Sequence, residues 1–241
     1  MNKIEFISLL NKAFEENGLS NLLSEEAAEK LYNFACLLVE TNKITNLTAI
    51  TEDKGIILKH FVDCTSASGY IDVGSRLIDV GCGAGFPSIP LAIIRPDLLI
   101  TALDSTGKKI EFVKSVASKL DLTNLTAICA RAEDFAADNR ESFDISTSRA
   151  VARLNVLAEI SLPLVKVGGK FIAMKSNKGA EELAEASGGI RRLGAELACS
   201  AEKTFSLDGE SINREFYVFS KTRSTPKEFP RKYAQILKKP L

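Results

Sequence analysis

Leu77-Ile78-Asp79-Val80-Gly81-Cys82-Gly83-Ala84-Gly85 is the stretch whose reading decides the fold. An apolar run carrying one acid passes into glycine at every second position, and the next apolar run, Leu98–Leu103, ends on Asp104. Glycine admits positive φ and puts no Cβ between backbone and ligand, so such a loop turns tightly and lets a bound group come close. A carboxylate at Asp104, 23 positions after Gly81, can accept from two ribose hydroxyls. Together they point to a cofactor carrying a nucleoside, and they leave hydride and methyl chemistry both open.

Outward from this loop, apolar runs and amphipathic segments alternate. Strands are expected at Leu77–Val80, Leu98–Leu103, Thr126–Ala130, Phe143–Ser148 and Lys170–Met174, with helices at Ile89–Ile94, Lys108–Leu120, Leu154–Leu164 and Ala180–Leu193. That order means a parallel sheet covered on both faces. Two further runs, Cys199–Ser206 and Glu215–Ser220, flank Leu207-Asp208-Gly209-Glu210, whose turn chemistry predicts an antiparallel hairpin closing the sheet. Before Ser75 the pattern is helical: Ile4, Ile7, Leu10 and Phe14 share one face, and Ala28, Leu31, Ala35 and Leu38 another. Ser24 before Glu25 and Glu26 is a suitable N-cap, and a third helix is expected over Lys54–Ser68. The expected division is a helical extension over residues 1–70, an α/β domain over 71–222 and a basic tail over 223–241.

With 241 residues, 45% hydrophobic and 26% charged, the chain can bury one large core. Five dispersed cysteines without a CxxC pair, and no secretory segment at the start, fit a reduced, cytoplasmic protein. One histidine, His60, rules out a histidine metal cluster, and no metal is expected. No apolar run reaches the length of about 18 residues that a bilayer demands. Net charge is zero, yet seven bases face one acid from Lys221 to Leu241. Such a run is either a solvated tail or a phosphate-contacting arm, in which Lys227, Arg231, Lys232, Lys238 and Lys239 would meet phosphate and Phe229 and Tyr233 would stack on bases.

The glycine spacing separates the cofactors. Dinucleotide sites space their glycines G-x-G-x-x-G to bring a helix N-terminus to pyrophosphate, whereas Gly81, Gly83 and Gly85 alternate and are followed by Phe86-Pro87. S-adenosylmethionine has no pyrophosphate; it needs a backbone cradle, an acid for the ribose and a slot for adenine. Asp79 can position the cradle or meet the ammonium, Asp104 can take the ribose, and the backbone at Ala132-Glu133 can meet the adenine edge. Alternatively, Ala132-Glu133-Asp134 simply starts a surface helix with acids at its positive end. At the end of the fourth strand stands Ser148-Arg149-Ala150, with neither the N/D-P-P-Y/F run that holds an exocyclic amine nor a proline-cysteine pair for carbon methylation. The acceptor is therefore expected to be nucleophilic already, as a purine ring nitrogen is, and Arg149 to be a positioning donor or a structural ion-pair partner of Asp144 or Glu133.

Asn46-Leu47-Thr48-Ala49-Ile50, Lys59-His60-Phe61-Val62-Asp63, Leu77 to Pro87, Ile93-Ile94-Arg95-Pro96, Leu103-Asp104-Ser105 with Lys108-Lys109, Ser148-Arg149-Ala150 and Lys175 together resemble the bacterial ribosomal RNA small subunit methyltransferase G family, also called glucose-inhibited division protein B. The resemblance implies a class I S-adenosylmethionine-dependent methyltransferase of Rossmann-like fold, with a mostly parallel seven-stranded sheet. It implies methyl transfer to guanine N7 in the decoding-region loop of 16S rRNA; in-line displacement, a substrate within the 30S subunit or an assembly intermediate, and a monomer are expected beside it. Carried over residue by residue, Asp79, Gly81, Gly83, Gly85, Phe86, Asp104, Ala132, Glu133 and Arg149 would hold the cofactor. Arg149, Asn46 and Lys175 would serve catalysis, and His60, Lys108, Arg214, Lys227, Arg231 and Lys232 would hold RNA. Departures are Thr106 where leucine is common, Cys64 for serine, and Ser176 where glycine is frequent. A methyltransferase for a small molecule or protein, or an inactive ribosome-binding factor, are the alternatives.

Overall fold

The structure is a computed structural model that describes residues 1–176 and 179–241. Helix α1, Lys3–Glu16, starts where the Asn2 side chain accepts from Ile4 N, and α2, Glu25–Thr45, where Ser24 Oγ accepts from Ala27 N at 3.1 Å. The capping expected at Ser24 is therefore present. Asn46 ends α2 in the left-handed region, φ 47°, the conformation that asparagine tolerates best after glycine. A third helical stretch, α3, covers residues 53–70, with π-helical geometry over Ile57–Val62 and a 3₁₀ ending over Ser66–Tyr70. The wider π turn lies where His60 and Asp63 project, as π turns commonly do at functional positions.

The sheet then forms from β1 (Arg76–Val80), β2 (Leu99–Asp104), β3 (Leu125–Cys129), β4 (Phe143–Arg149), β5 (Val165–Lys175), β6 (Ala195–Leu207) and β7 (Glu210–Lys221). Its order is β3-β2-β1-β4-β5-β7-β6, with parallel pairing from β3 to β5 and β7 antiparallel to both β5 and β6. The β6–β7 turn is Asp208-Gly209, both at positive φ, as a two-residue hairpin of the expected chemistry requires. Connecting helices are α4 (Ser88–Ile94), α5 (Gly107–Lys119), α6 (Ala132–Asp138), α7 (Leu154–Ser161) and α8 (Gly179–Arg192), and a last helix, α9, spans Tyr233–Lys238. The seven-stranded fold expected from the alternation is the fold observed. Among the described residues no helix is long and apolar enough to cross a membrane.

Two apolar layers sandwich the sheet. One joins Phe6, Leu10, Phe14, Leu31, Phe34 and Phe61 of the first three helices to Phe86, Ile89, Phe112 and Val113, all buried. The first 70 residues thus cover one face of the sheet and share its core, which is a closer union than the appended extension expected from sequence. The opposite layer, built on α7 and α8, includes Phe229 and Ile236 from the chain's end. The tail is likewise folded onto the domain: Arg140 donates to the carbonyls of Thr225, Pro226 and Phe229.

Candidate active site

The strand order reverses between β1 and β4, and a cleft opens where their C-terminal ends diverge, as open α/β sheets favour. The glycine loop leaves β1, and Arg149 ends β4 beside it. Gly81 has φ +77°, and a Cβ placed on it would stand 2.5 Å from Val151 Cγ2, so only glycine fits. Gly83, at φ +57°, has open space where a Cβ would stand. Asp104 fastens the loop from β2: its Oδ2 accepts from Gly83 N at 3.0 Å and its Oδ1 from Thr106 N at 2.8 Å. Each oxygen keeps a second acceptor position for a hydroxyl.

Two cavities meet across Gly81, Asp104 and Val151. The smaller, about 120 Å³, is bordered by Ser105, Ala130, Ala132, Glu133, Ile160 and Tyr233. The larger, about 350 Å³, is bordered by Thr48, His60, Gly83, Phe86, Lys109 and Arg149. A backbone cradle, an acid with spare acceptor positions and a slot beyond it suit the amino-acid, ribose and adenine parts of S-adenosylmethionine in that order. They offer no helix N-terminus at the loop's centre for a pyrophosphate.

Beside the cradle lies a charged cluster joined by direct hydrogen bonds. Arg149 Nη1 donates to Lys59 O at 3.0 Å and to Asp63 Oδ2 at 2.9 Å, and Nη2 bonds His60 Nδ1 at 3.0 Å. The guanidinium carries no lone pair, so it is the donor, and the ring proton must lie on Nε2, which donates to Thr48 Oγ1 at 3.0 Å. Burial and then the Arg149 charge push the His60 pKa down to about 3, and the ring stays neutral. It stacks on Phe86 at 4.2 Å, while Arg149 lies 5.3 Å from the same ring's centroid. Asp63, fully buried, also receives Arg214 Nε at 3.0 Å. Arg149 Nε is buried without a partner.

Residues 27–203 match the family described as rRNA small subunit methyltransferase G. The chain belongs to that family. A ribosomal RNA small subunit methyltransferase G from Staphylococcus carnosus is 48% identical over 224 residues, covering 91% of this chain and 92% of that protein. Those of Staphylococcus haemolyticus and Clostridium perfringens (strain 13 / Type A) are 45% and 43% identical, over 100% and 99% of this chain and 99% and 100% of theirs. Among solved structures, M. jannaschii TYW2 in complex with AdoMet superposes with a TM-score of 0.50 at 13% identity, covering 83% of this chain and 78% of that one. The [4+2]-cyclase SpnF reaches 0.54 at 16%, over 67% and 80%. Likeness this remote speaks to fold alone, as a cyclase among the neighbours makes plain. Membership in the family makes the chain an enzyme, a methyltransferase dependent on S-adenosylmethionine.

Of the residues singled out from sequence, Gly81, Gly83, Phe86, Asp104, Ala132, Glu133, His60 and Arg149 border the cleft. Asp79 and Gly85 stand behind it. Asp79 is fully buried, its Oδ2 accepting from Ser88 N at 3.1 Å, so it positions the loop against α4 and is closed to a ligand's ammonium. Lys175 donates to Ala152 O at 2.7 Å and pairs with Glu182 at 2.7 Å, holding the segment that carries Val151 and lying outside both cavities. Arg214 reaches the cluster only through Asp63, and Asn46 and Lys108 are exposed beside the cleft. Arg231, expected to meet phosphate, is instead bound by Glu159. Lys227 and Lys232 are exposed. Thr48, Lys109 and Val151 were missed, and Tyr233, expected to stack on RNA bases, borders the smaller cavity; for Lys109 the helical phase of α5, which turns it inward and Lys108 outward, was the available signal.

Proposed function

We propose that this enzyme methylates N7 of a guanine in the decoding-region loop of 16S rRNA, taken as the 30S subunit or an assembly intermediate, and that it acts as a monomer. One observation carries the reading: the larger cavity places donors and aromatic faces beside the cradle, and its one carboxylate, Asp104, is tied to the glycine loop and assigned to the ribose. His60 has both ring nitrogens engaged and stays neutral. Cys82, which borders the larger cavity, has its thiol pushed up by burial, so it offers no thiolate. Such a cleft suits an acceptor atom that brings its own lone pair and carries no proton, as guanine N7 does.

S-adenosylmethionine, when bound, supplies a methyl group on positively charged sulfur. Gly81 and Gly83 give its amino-acid part backbone access, Asp104 accepts from the ribose, and Ala132 and Glu133 border the adenine. Arg149 has five N–H donors; three are engaged within the protein and Nε–H is buried, so the second Nη2 hydrogen remains for the cofactor carboxylate or the guanine acceptor edge. Phe86 and His60 form a flat apolar wall that excludes water and orients a base. The test is transfer of tritiated methyl from the cofactor to free 16S rRNA, assembly intermediates and 30S subunits, with aniline scission mapping N7-methylguanosine. Incorporation at a guanine N7 is expected; label elsewhere, or only in protein or small molecules, overturns the assignment.

A further inference from the structure

We propose that Tyr233 forms the outer wall of the nucleoside end of the cofactor cleft, so that the C-terminal segment contributes to the cofactor site. This rests on the S-adenosylmethionine reading above and extends it to a residue outside the α/β domain. Tyr233 borders the smaller cavity together with Asp104, Ala132 and Glu133, the residues assigned to ribose and adenine. It is the one contributor to that cavity from beyond β7.

The segment that carries Tyr233 is held rigidly. Arg231, two residues before it, forms a bidentate pair with Glu159: Nε donates to Oε1 at 2.8 Å and Nη2 to Oε2 at 2.6 Å, and Arg231 N adds a third bond to Oε1 at 3.0 Å. Glu159 is fully buried on α7, and its neighbour Ile160 borders the same cavity. Three residues after Tyr233, Ile236 is fully buried, one turn along α9 on the same side, and Phe229 is buried before it. The Arg131 guanidinium, which borders the same cavity, lies 5.6 Å from the centroid of the Tyr233 ring. Arg131 precedes Ala132, so the ring is fixed from both the tail and the β3–α6 loop. A half-buried aromatic ring fixed at the edge of a slot, opposite a peptide edge, offers a flat apolar face to a purine at little cost in conformational freedom. The contact proposed is made by the ring face, which phenylalanine would keep.

Calorimetric titration with S-adenosylhomocysteine and with 5′-methylthioadenosine, which lacks the amino-acid group, tests this directly. Both should bind wild-type protein. Tyr233→Ala should weaken both by about the same factor, on the order of 10-fold, because the loss lies in the nucleoside they share. Tyr233→Phe should restore affinity to within about 2-fold. The KM for S-adenosylmethionine should rise with the dissociation constants while the KM for RNA stays put. If Tyr233→Ala loses its thermal transition, Tyr233→Leu, which keeps apolar contact but no flat ring, should show the same loss. Wild-type affinity in a folded Tyr233→Ala or Tyr233→Leu protein overturns the proposal, as does a change confined to the KM for RNA. Failure of wild-type protein to bind either compound overturns the cofactor reading itself, a distinguishable result.

Discussion

Asp63 and Arg149 show how a single pair can be both structural and functional. A fully buried carboxylate costs several kcal/mol unless it is paired and hydrogen-bonded, and here one oxygen takes both Arg149 and Arg214 while the other has no partner. Arg149 cannot therefore be removed cleanly. Arg149→Ala should destabilise by about 3 kcal/mol or more as well as abolish methyl transfer, because Asp63 loses its nearer shield. Arg149→Lys is the sharper probe: it keeps a charge for Asp63 but has no planar fork to span Asp63, Lys59 O and His60 Nδ1 at once. Its fold should survive, with methyl transfer down by about 100-fold, or about 2.7 kcal/mol, and with cofactor affinity reduced far less. Denaturant melts read beside methylation rates check this; a lysine variant of wild-type rate would remove Arg149 from the site. From sequence, Arg149 was legible as an unusual residue at a strand end, but the acids offered as its ion-pair partner, Asp144 and Glu133, are not the one it meets. Its partner was not legible, because Asp63 lies 86 positions away on α3 and only the packing of that helix over β4 unites them.

At the scale of elements, the site depends on how β1 turns into α4. The period of the apolar runs made every strand and the hairpin legible, since alternation and turn chemistry are local. The tail's fate was not, because a basic run reads as solvated until a buried acid elsewhere claims one of its members. Asp79 ends up as the pin of the β1–α4 turn, held by Ser88 N and fully buried, and burial pushes its pKa to about 7. In the unfolded chain the same carboxyl releases its proton near pH 3.9, about the usual value. Between these limits the folded state binds the extra proton, so its stability falls as pH rises from about 4 to about 7 and levels off above. Asp79→Asn removes that titration while keeping an acceptor for Ser88 N. Stability measured by denaturant from about pH 4 to about pH 7, the window set by those two values, should decline in the wild type and decline less in the variant. Parallel profiles would show that Asp79 does not titrate there.

The whole molecule carries no net charge, so RNA must be met by local patches and not by a general field. The chain's basic end supplies less of such a patch than its composition suggests. Lys221 is buried, donating to Leu162 O, Val165 O and Thr225 Oγ1, and Arg231 is consumed by Glu159. The exposed bases that remain there include Lys227, Lys232, Lys238 and Lys239. Neighbouring residues should thus behave in opposite ways. Each phosphate contact on single-stranded RNA contributes about 0.7 to the slope of log affinity against log salt. Lys232→Ala should flatten that slope by about this amount if Lys232 meets phosphate, with unchanged stability, since its side chain supports nothing within the fold. Arg231→Ala should leave the slope alone and cost about 3 kcal/mol in denaturant unfolding, because it strands Glu159 inside the apolar layer beneath α7. Filter binding of 16S rRNA across a salt series, paired with urea melts of both variants, separates the two roles. An Arg231→Ala protein of wild-type stability with a flattened slope would reverse the assignment, returning Arg231 to the RNA and leaving Glu159 to be held by the rest of the fold.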